Sequence, residues 1–166
     1  MQVRAETPPD FARVEEINLA AFGGDAEARL VGLLREQANP LISLVADDHG
    51  NVVGHILFTP VSLHGGKGLV MALAPMAVAP SRQRSGVGSA LVKAGLERCK
   101  ELGVVAVVVL GHPEFYPKFG FAPADRFGLR CDYDAPAEAF MAIELRAGGL
   151  RAASGTVKYH AAFSEL

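Results

Sequence analysis

The chain has 166 residues, of which half are hydrophobic and a fifth are charged, a composition typical of one folded domain over residues 1–166. A net charge of −2 and an isoelectric point near 6.2 give no electrostatic reason to expect a nucleic-acid partner. Because no apolar leader and no apolar run of about 18 residues is present, we expect a cytoplasmic protein without a membrane partner. Cys99 and Cys131 form no C-x-x-C pair, which predicts no metal site and suits a reducing compartment.

The first elements are predicted to be a short strand over residues 2–5 and two helices. Thr7, Pro8 and Asp10 predict a helix start with a capping box. Apolar residues then follow at helical spacing, at Phe11, Val14, Ile17 and Ala21. Beyond Gly23-Gly24, a second helix is predicted over residues 25–37, with an inner face of Ala26, Leu30 and Leu33 or Leu34.

The middle of the chain is predicted to begin with strands. Segments 41–46 and 52–59 predict a hairpin around the turn at 47–51. A second turn at 64–68 leads to residues 69–78, which are nearly all apolar and predict a central strand covered on both faces.

A helix from Gly86 to Leu102, ended by Gly103, follows this strand and precedes another apolar strand at 104–110. The order strand, helix, strand predicts a right-handed crossover between parallel strands. The predicted inner face of the helix is Leu91, Gly95, Leu96, Cys99 and Leu102. A short helix at 114–119 and late strands at 140–145 and 156–159 complete an α/β (α+β) fold, a mixed sheet of six or seven strands with helices on both faces.

A glycine-containing loop joins the central strand to the helix and reads Gln83-Arg84-Ser85-Gly86-Val87-Gly88. Glycine allows tight or left-handed backbone and close approach of a phosphate, and N–H groups at a helix N-terminus attract anions. With Arg82 and Arg84 beside it, the loop is a candidate diphosphate site. A tight turn that uses glycine only for its geometry is the alternative.

Two other nucleotide-binding motifs do not match this glycine spacing. The Rossmann fingerprint requires Gly or Ala at its sixth position, where this chain has Leu91. The Walker motif requires Gly-Lys-Ser/Thr after four spacer residues, and residues 65–68 do not supply it.

The loop and a downstream aromatic segment together resemble the GNAT superfamily of N-acetyltransferases. The family's cofactor motif is a strand ending in V-x-P followed by Q/R-x-x-G-x-G/A, which residues 73–91 match. Its Y-x-x-x-G-F segment resembles Phe115-Tyr116-Pro117-Lys118-Phe119-Gly120-Phe121. The two motifs stand in the family's order, and the Gly-His-Pro-Glu-Phe-Tyr stretch at 111–116 resembles the bacterial YhbS-like branch.

The resemblance implies a GNAT-like sheet that splays at its centre, between strands 69–78 and 104–110, and admits acetyl-CoA without a metal. The residues that it implies for cofactor binding are the pantetheine strand, the pyrophosphate loop and one tyrosine, namely Met76, Ala77, Val78, Gln83, Arg84, Ser85, Gly86, Val87, Gly88, Ser89 and Tyr116.

Tyr116 is implied to be the general acid that protonates the leaving thiolate. A phenol has a reference pKa of about 10 and therefore remains protonated at pH 7. A backbone N–H near Ala77 or Val78 is a candidate to polarise the thioester carbonyl. The alternative for Tyr116 is a packing role within an aromatic cluster.

The general base is left open, because Leu73-Ala74-Pro75 stands where some family members carry a Glu. Residues 111–114 also replace an Asn that helps many members to hold the cofactor. Of the candidate bases we favour His112, four residues before Tyr116, because imidazole titrates in the required range. An ordering role for His112 in the Gly-His-Pro turn explains the sequence equally well, and water is another proton relay. The other candidates are His55, His64, Glu27 and Glu114.

The acceptor pocket in the family is formed largely by the first two helices and the C-terminal strands. We therefore expect Phe22, Glu27 and His55 to contact the substrate. Residues 145–166 are expected to be a C-terminal extension, in which 155–160 form a strand that closes the pocket or makes an interface. Acidic residues in these regions either attract a cationic amine or are solvated surface, and they are Asp25, Glu27, Asp132, Asp134 and Glu138.

The sequence thus predicts an N-acetyltransferase that acts on a small-molecule or protein amine by direct attack in a ternary complex, as a monomer or homodimer. A non-catalytic acyl-CoA-binding sensor and a structural protein with an incidental glycine turn are the alternatives.

Overall fold

The computed structural model describes residues 1–165, which form three α-helices and ten β-strands joined by turns and short 3-10 helices. The helices are α1 (Phe11–Phe22), α2 (Ala26–Gln37) and α3 (Val87–Leu102). The strands are β1 (Gln2–Ala5), β2 (Ile42–Asp48), β3 (Asn51–Pro60), β4 (Ser62–His64), β5 (Leu69–Val78), β6 (Val104–Leu110), β7 (Ala122–Pro123), β8 (Leu129–Cys131), β9 (Phe140–Glu144) and β10 (Ser154–Lys158).

Seven strands form one mixed sheet in the order β1-β2-β3-β5-β6-β9-β7. Strands β5 and β6 are parallel neighbours, and α3 connects them across one face of the sheet, as the strand–helix–strand pattern predicted. The other neighbouring pairs are antiparallel. The predicted mixed sheet with helices on both faces is therefore confirmed.

Helix α3 packs closely against β3 because two glycines remove side chains from the contact. A Cβ on Gly95 would lie 2.4 Å from Cε1 of Phe58, and one on Gly54 would lie 2.9 Å from Cγ1 of Val87. The apolar face of α3, including Leu91, meets the sheet residues of the largest core cluster. Helix α3 is thus fixed against the sheet at its N-terminal end, where the glycine-containing loop enters.

Helices α1 and α2 cover the opposite face of the sheet, where Val14, Leu30 and Leu34 pack against Leu57. The chain enters α1 through the 3-10 turn Pro8–Asp10, and the carboxylate of Asp10 accepts hydrogen bonds from the N–H and hydroxyl of Thr7. The capping residues predicted from the sequence therefore contact one another at this turn.

A second, three-stranded sheet has the order β4-β10-β8. Strand β10 runs antiparallel to β4 and parallel to β8. The buried residues Leu129 of β8 and Val157 of β10 share a core cluster with Val70 and Val108 of the main sheet. After β10, the 3-10 helix Ala161–Glu165 returns to α2, where Ala162 is buried.

Two helix positions differ from the predicted pattern. Phe11 and Leu102, which we expected on inner faces, are 38% and 40% exposed. Both lie at helix ends, beyond the part of the helix that the sheet covers, and the ring of Phe11 instead contacts the guanidinium of Arg35, 3.9 Å from the ring centroid. The helical period predicted the direction of these side chains, but it did not predict how far along each helix the sheet extends.

Candidate active site

The main sheet opens between β5 and β6. The two strands pair only over Leu69–Ala72 of β5, whereas β3 pairs with the other edge of β5 as far as Val78. The opposite edge of β6 pairs with β9 over Ala106–Leu110, so β6 remains in the sheet beyond the point where its pairing with β5 ends. Among residues 1–165, the edge of residues 73–78 that faces β6 is therefore without a strand partner, as expected from the splayed sheet.

The direction of the backbone groups along this open edge follows from the β3–β5 register. The N–H of Ala79 donates to the carbonyl of Val53, so this pair is hydrogen-bonded, and in an antiparallel ladder alternate residues point away from the partner strand. Val78 and Met76 therefore direct their N–H and C=O groups towards the gap, whereas Ala77 bonds to β3. In agreement, the carbonyl of Val78 accepts a hydrogen bond from Nε2 of Gln83 at 3.1 Å.

A β-bulge changes which side chains of β5 face α3. Ile56 pairs with Met76 and Phe58 pairs with Leu73, so two steps along β3 correspond to three along β5. The extra residue lies at Ala74-Pro75. Before the bulge in the chain, the side chain of Leu73 faces α3. After the bulge, the side chains of Met76 and Val78 face α3 and lie close to Gly88 in its first turn.

The loop before α3 presents a row of free backbone N–H groups. Gly86 is the N-cap residue of α3 with φ of 90°, and Arg84 is also left-handed with φ of 62°. Within the described residues, no hydrogen bond is made by the N–H groups of residues 84–89. Such a run of N–H groups at a helix N-terminus is a favourable site for an anion.

The two arginines of this loop differ in their contacts. Nη1 of Arg82 lies 2.8 Å from Oδ2 of Asp48, and the Arg82 guanidinium holds the pKa of the Asp48 carboxyl below its usual range. Arg84 is exposed and has no ion pair among residues 1–165. The hydroxyl of Ser85 donates to the carbonyl of Arg82, which closes the turn. Arg84 is therefore the side chain of the loop that is available to a bound phosphate.

Tyr116 begins a 3-10 helix, Tyr116–Phe119, just beyond the end of β6. Its ring is 6% exposed and packs edge-on against Phe115 and Phe121, with centroids 5.0 and 5.5 Å away. Burial raises the pKa of the Tyr116 phenol to about 12. Among residues 1–165 no side-chain hydrogen bond involves the Tyr116 hydroxyl, so the neutral phenol retains its proton for donation to a bound group.

Gly111 makes room for the ring of Tyr116. A Cβ at this position would lie 2.6 Å from Cε2 of Tyr116, closer than carbon atoms approach in proteins. The glycine of the Gly-His-Pro turn is therefore a packing requirement of the tyrosine that follows it.

One cavity of about 570 Å³ joins the open edge of β5 to α1, α2 and the C-terminal part of the chain. On the sheet side its lining includes a set that we call the strand group, namely Met76, Ala77, Val78, Gln83, His112 and Tyr116. On the other side lies a set that we call the aromatic group, namely Ala21, Phe22, Glu27, Leu30, Tyr133, Tyr159 and Phe163. Residues 84–89 follow Gln83 of the strand group in the chain but do not themselves line this cavity.

His112 is exposed and lies on the cavity wall together with Tyr116. Its carbonyl also accepts the N–H of Phe115 at 3.1 Å, so its backbone orders the turn. Both roles weighed for this residue from the sequence are therefore compatible with its position. Of the other candidate bases, Glu27 lines the cavity, whereas His64 and Glu114 are exposed outside its lining.

His55 differs from its expected position as a substrate contact. Its side chain is fully buried between β3 and the helices, Nε2 lies 2.8 Å from Oγ of Ser43, and it does not line the cavity. Burial lowers the pKa of His55 to about 4, opposed by the charge of Glu6 and assisted by that of Arg35. His55 therefore belongs to a buried polar network, and its expected contact with the substrate is wrong.

The remaining acidic candidates, except Glu27, are surface residues outside the cavity lining. Asp25 pairs with Arg29 at 3.5 Å, and Asp132 pairs with Lys158 at 3.0 Å. Asp134 and Glu138 are exposed.

Residues 1–165 contain neither a metal-ligand cluster nor a membrane-spanning helix. In that part of the chain no group of three or more His, Cys, Asp and Glu side chains is placed to hold a metal ion. None of the helices described there has the length and apolar character needed to cross a membrane.

The model of the Acetyltransferase (GNAT) family matches residues 11–121, which is well over half of the chain and includes the open edge, the loop and Tyr116. The chain belongs to this family. Its fold and its splayed sheet are therefore those of a GNAT protein, and the resemblance recognised in the two sequence motifs is confirmed.

Relatives in the GNAT family resemble the chain over its full length. The uncharacterized N-acetyltransferase YhbS of Escherichia coli K12 is 37% identical over 167 residues, which cover 100% of both proteins. The crystal structure of E. coli YhbS in complex with CoA has a TM-score of 0.91 and 36% identity, with 98% of this chain and 91% of that chain covered. The resemblance to the YhbS-like branch is therefore also confirmed.

A second solved relative is a GNAT family acetyltransferase from Brucella melitensis in complex with acetyl-CoA. It has a TM-score of 0.79 and 31% identity, with 98% of this chain and 97% of that chain covered. CoA and acetyl-CoA are thus ligands of two full-length structural relatives.

The aromatic residues of the cavity lining that the sequence reasoning did not name as site residues are Tyr133, Tyr159 and Phe163. They follow the region matched by the family model and lie in short or irregular segments. Each is separated by 17 or more residues from Tyr116, the last motif residue that lines the cavity. The only sequence signal was the aromatic residue type itself in a segment expected to close the pocket.

Proposed function

We propose that this GNAT protein transfers the acetyl group of acetyl-CoA to a primary amine by direct attack in a ternary complex. The observation that carries the proposal is the position of Tyr116, whose buried ring lines the same cavity as the open edge of β5 and residues of α1 and α2. One cavity therefore connects the proposed cofactor site, a proton donor and room for an acceptor.

The residues of the chain fit acetyl-CoA at both parts of its proposed site. The free N–H groups of residues 84–89 and the unpaired Arg84 suit a pyrophosphate. The backbone groups of Met76 and the N–H of Val78, which face the gap, suit an extended arm with amide groups that pairs with the edge as an added strand. When bound, acetyl-CoA supplies an acyl group activated as a thioester.

The proposed chemistry uses Tyr116 as the general acid. The amine nitrogen forms a bond to the acyl carbon, the carbon–sulfur bond breaks, and the departing sulfur takes the proton of the Tyr116 hydroxyl. Because burial raises the pKa of Tyr116 to about 12, the proton is on the phenol at neutral pH. The N–H of Val78 or Met76, directed into the gap, is the proposed donor to the acyl oxygen.

The proton lost by the amine has two proposed routes. His112 is exposed on the same wall as Tyr116 and is the proposed base, with water as the second route. We also propose that residues 1–166 form a single domain. The free thiols of Cys99 and Cys131 support a cytoplasmic location for the reaction.

A second candidate function is non-catalytic binding of an acyl-CoA, as in a sensor. The apolar residues Leu73, Ala74 and Pro75 favour it, because some family members carry a base on this strand. The two functions differ in a single measurement: a sensor binds CoA but releases no thiol from acetyl-CoA with any amine.

The proposal is tested by measuring CoA thiol release from acetyl-CoA across a panel of amines, with wild type and Tyr116→Phe. We expect Tyr116→Phe to lower kcat by about 10²–10⁴-fold, the usual contribution of general acid catalysis. Its CoA affinity, measured by calorimetry, and its Tm should change little because the ring is retained. Unchanged kcat in Tyr116→Phe removes the tyrosine from the acid role.

A further inference from the structure

Three aromatic side chains from the C-terminal part of the chain stand together on the cavity. The ring centroids of Tyr133 and Tyr159 are 5.4 Å apart at 72°, and those of Tyr159 and Phe163 are 5.1 Å apart at 77°. These edge-to-face contacts join the three rings into one surface, which we call the aromatic wall. It lines the same cavity as Phe22 and Glu27 of the helical side.

The aromatic wall is held in place by contacts on both sides of Tyr159. Before it, β10 pairs with β4 and β8, and Nζ of Lys158 lies 3.0 Å from Oδ1 of Asp132. After it, Ala162 is 1% exposed in the core cluster of α1 and α2, and Phe163 packs against that cluster. The wall is therefore preformed, and a ligand that uses it does not have to order the segment first.

The charge around the wall is small and negative. Burial raises the pKa of both Tyr133 and Tyr159, so their phenols are neutral at pH 7. Glu27 is the one carboxylate among the described residues that line the cavity, and none of those lining residues is a lysine or arginine. A bound cation therefore has one oppositely charged side chain on the described lining, whereas a bound anion has no lysine or arginine there.

We propose that the acceptor of this enzyme is a compact primary amine on an aromatic body that carries no anionic group, bound with its ring on the aromatic wall and its ammonium group near Glu27. The inference rests on the proposed function and extends it to the substrate class. Aromatic rings offer both stacking and cation–π contacts to such a molecule.

Two other classes of amine fit these walls less well. An amino acid would place its carboxylate in a cavity with no lysine or arginine on its lining among residues 1–165. A polyamine would place several cations against one carboxylate. The cavity of about 570 Å³ must also admit the end of the cofactor, so the acceptor is compact.

The test is calorimetric titration of the CoA-saturated protein with amines that differ in the aromatic ring, the carboxylate or the number of cations. The reference probe is 2-phenylethylamine. L-phenylalanine adds a carboxylate to it, n-propylamine lacks the ring, and spermidine adds cations. We expect 2-phenylethylamine to bind at least tenfold more tightly than each of the other three. Equal affinities for 2-phenylethylamine and L-phenylalanine, or for 2-phenylethylamine and n-propylamine, would overturn the inference.

Variants of the wall provide a second readout. Tyr133 is 39% exposed, so Tyr133→Ala should fold, and it should weaken 2-phenylethylamine about tenfold while n-propylamine changes little. Phe11→Ala, which removes a similarly exposed ring outside this cavity, is the matched control and should leave both affinities unchanged. Glu27→Gln should weaken both amines. Identical binding by Tyr133→Ala and wild type would contradict the role of the wall.

The same amines, used with acetyl-CoA, separate this inference from the proposed function. Acetyl transfer to n-propylamine or spermidine in preference to 2-phenylethylamine overturns the substrate class and leaves the transferase function intact. Tight binding of 2-phenylethylamine without thiol release from any amine overturns the transferase function and retains the ligand site.

Discussion

Gly111 is a position where one added methyl group tests the role of Tyr116 without removing its hydroxyl. A Cβ on Gly111 would lie 2.6 Å from Cε2, 3.3 Å from Cδ2 and 3.5 Å from Cζ of Tyr116. Because carbon atoms pack at about 3.5–4.0 Å, the ring in Gly111→Ala has to move by about 1 Å. Phe115 and Phe121 hold the ring edge-on, so the displacement is passed to the hydroxyl rather than absorbed by free space.

A displacement of this size is expected to reduce kcat by about 100-fold, because a misplacement of about 1 Å at a reacting group costs that much. Overpacking should also lower the free energy of unfolding by about 1–3 kcal/mol. The CoA affinity should change little, since the proposed contacts lie on the β5 edge and in residues 84–89. The combination of low kcat and retained CoA affinity distinguishes a displaced acid from a collapsed site.

The assay is thiol release with the best amine of the panel, together with CoA calorimetry and thermal unfolding. Gly32→Ala is the matched control, because a Cβ at Gly32 in α2 has no neighbour within 4 Å. If Gly111→Ala acts through the Tyr116 hydroxyl, combining it with Tyr116→Phe should slow the reaction no further than Tyr116→Phe alone. Wild-type kcat in a folded Gly111→Ala protein, or fully additive losses in the double variant, would refute this reasoning.

Two further predictions concern the loop and the buried histidine. Gly86→Glu should abolish CoA binding in calorimetry, because it places a carboxylate at the N-cap of α3. Gly86→Asn should retain most of the CoA binding, because Asn tolerates the left-handed backbone at φ of 90°. Normal CoA binding by folded Gly86→Glu would defeat the loop assignment. For His55, burial lowers the folded pKa from 6.5 to about 4, so the unfolded state binds more protons between these values. Stability should therefore fall as the pH drops from 6.5 to 4, by at most about 3 kcal/mol from this group. Denaturant unfolding of wild type and His55→Gln across this range measures the effect, and identical losses in both proteins would contradict it.

The central part of the fold could be predicted because its signals are local. The apolar runs at 69–78 and 104–110 and the helix between them specify a parallel crossover, and the structure has that connection. The small sheet could not be predicted in the same way. Strands β4 and β8 have three residues each, too few for a period to be recognised, and they are joined by β10 from more than 20 residues further along the chain.

The burial of His55 shows a second limit of sequence reasoning. A histidine among apolar strand residues was compatible with either a solvent-facing or a core position. Its position depends on the polar partner that another segment provides, here Ser43 of β2 together with Glu6 and Arg35. The alternation of a strand predicts two faces, but it does not predict which of them carries a polar network.

The two sides of the cavity differ in the atoms that form them, and this difference explains why one was recognised from the sequence and the other was not. The strand group and the loop offer mainly backbone N–H and C=O groups. The placement of these groups requires glycines at fixed spacing and a proline after the strand. Because these residues are close together in the chain, the site can be recognised as a contiguous sequence motif. The aromatic group offers side chains from α1, α2 and three separate points after residue 121. No local backbone geometry links those points, so each can change while the cofactor motif is preserved. A fold that holds its proposed cofactor through the backbone places few constraints on the side chains that would contact an acceptor, and in this chain those side chains include four aromatic rings and one carboxylate.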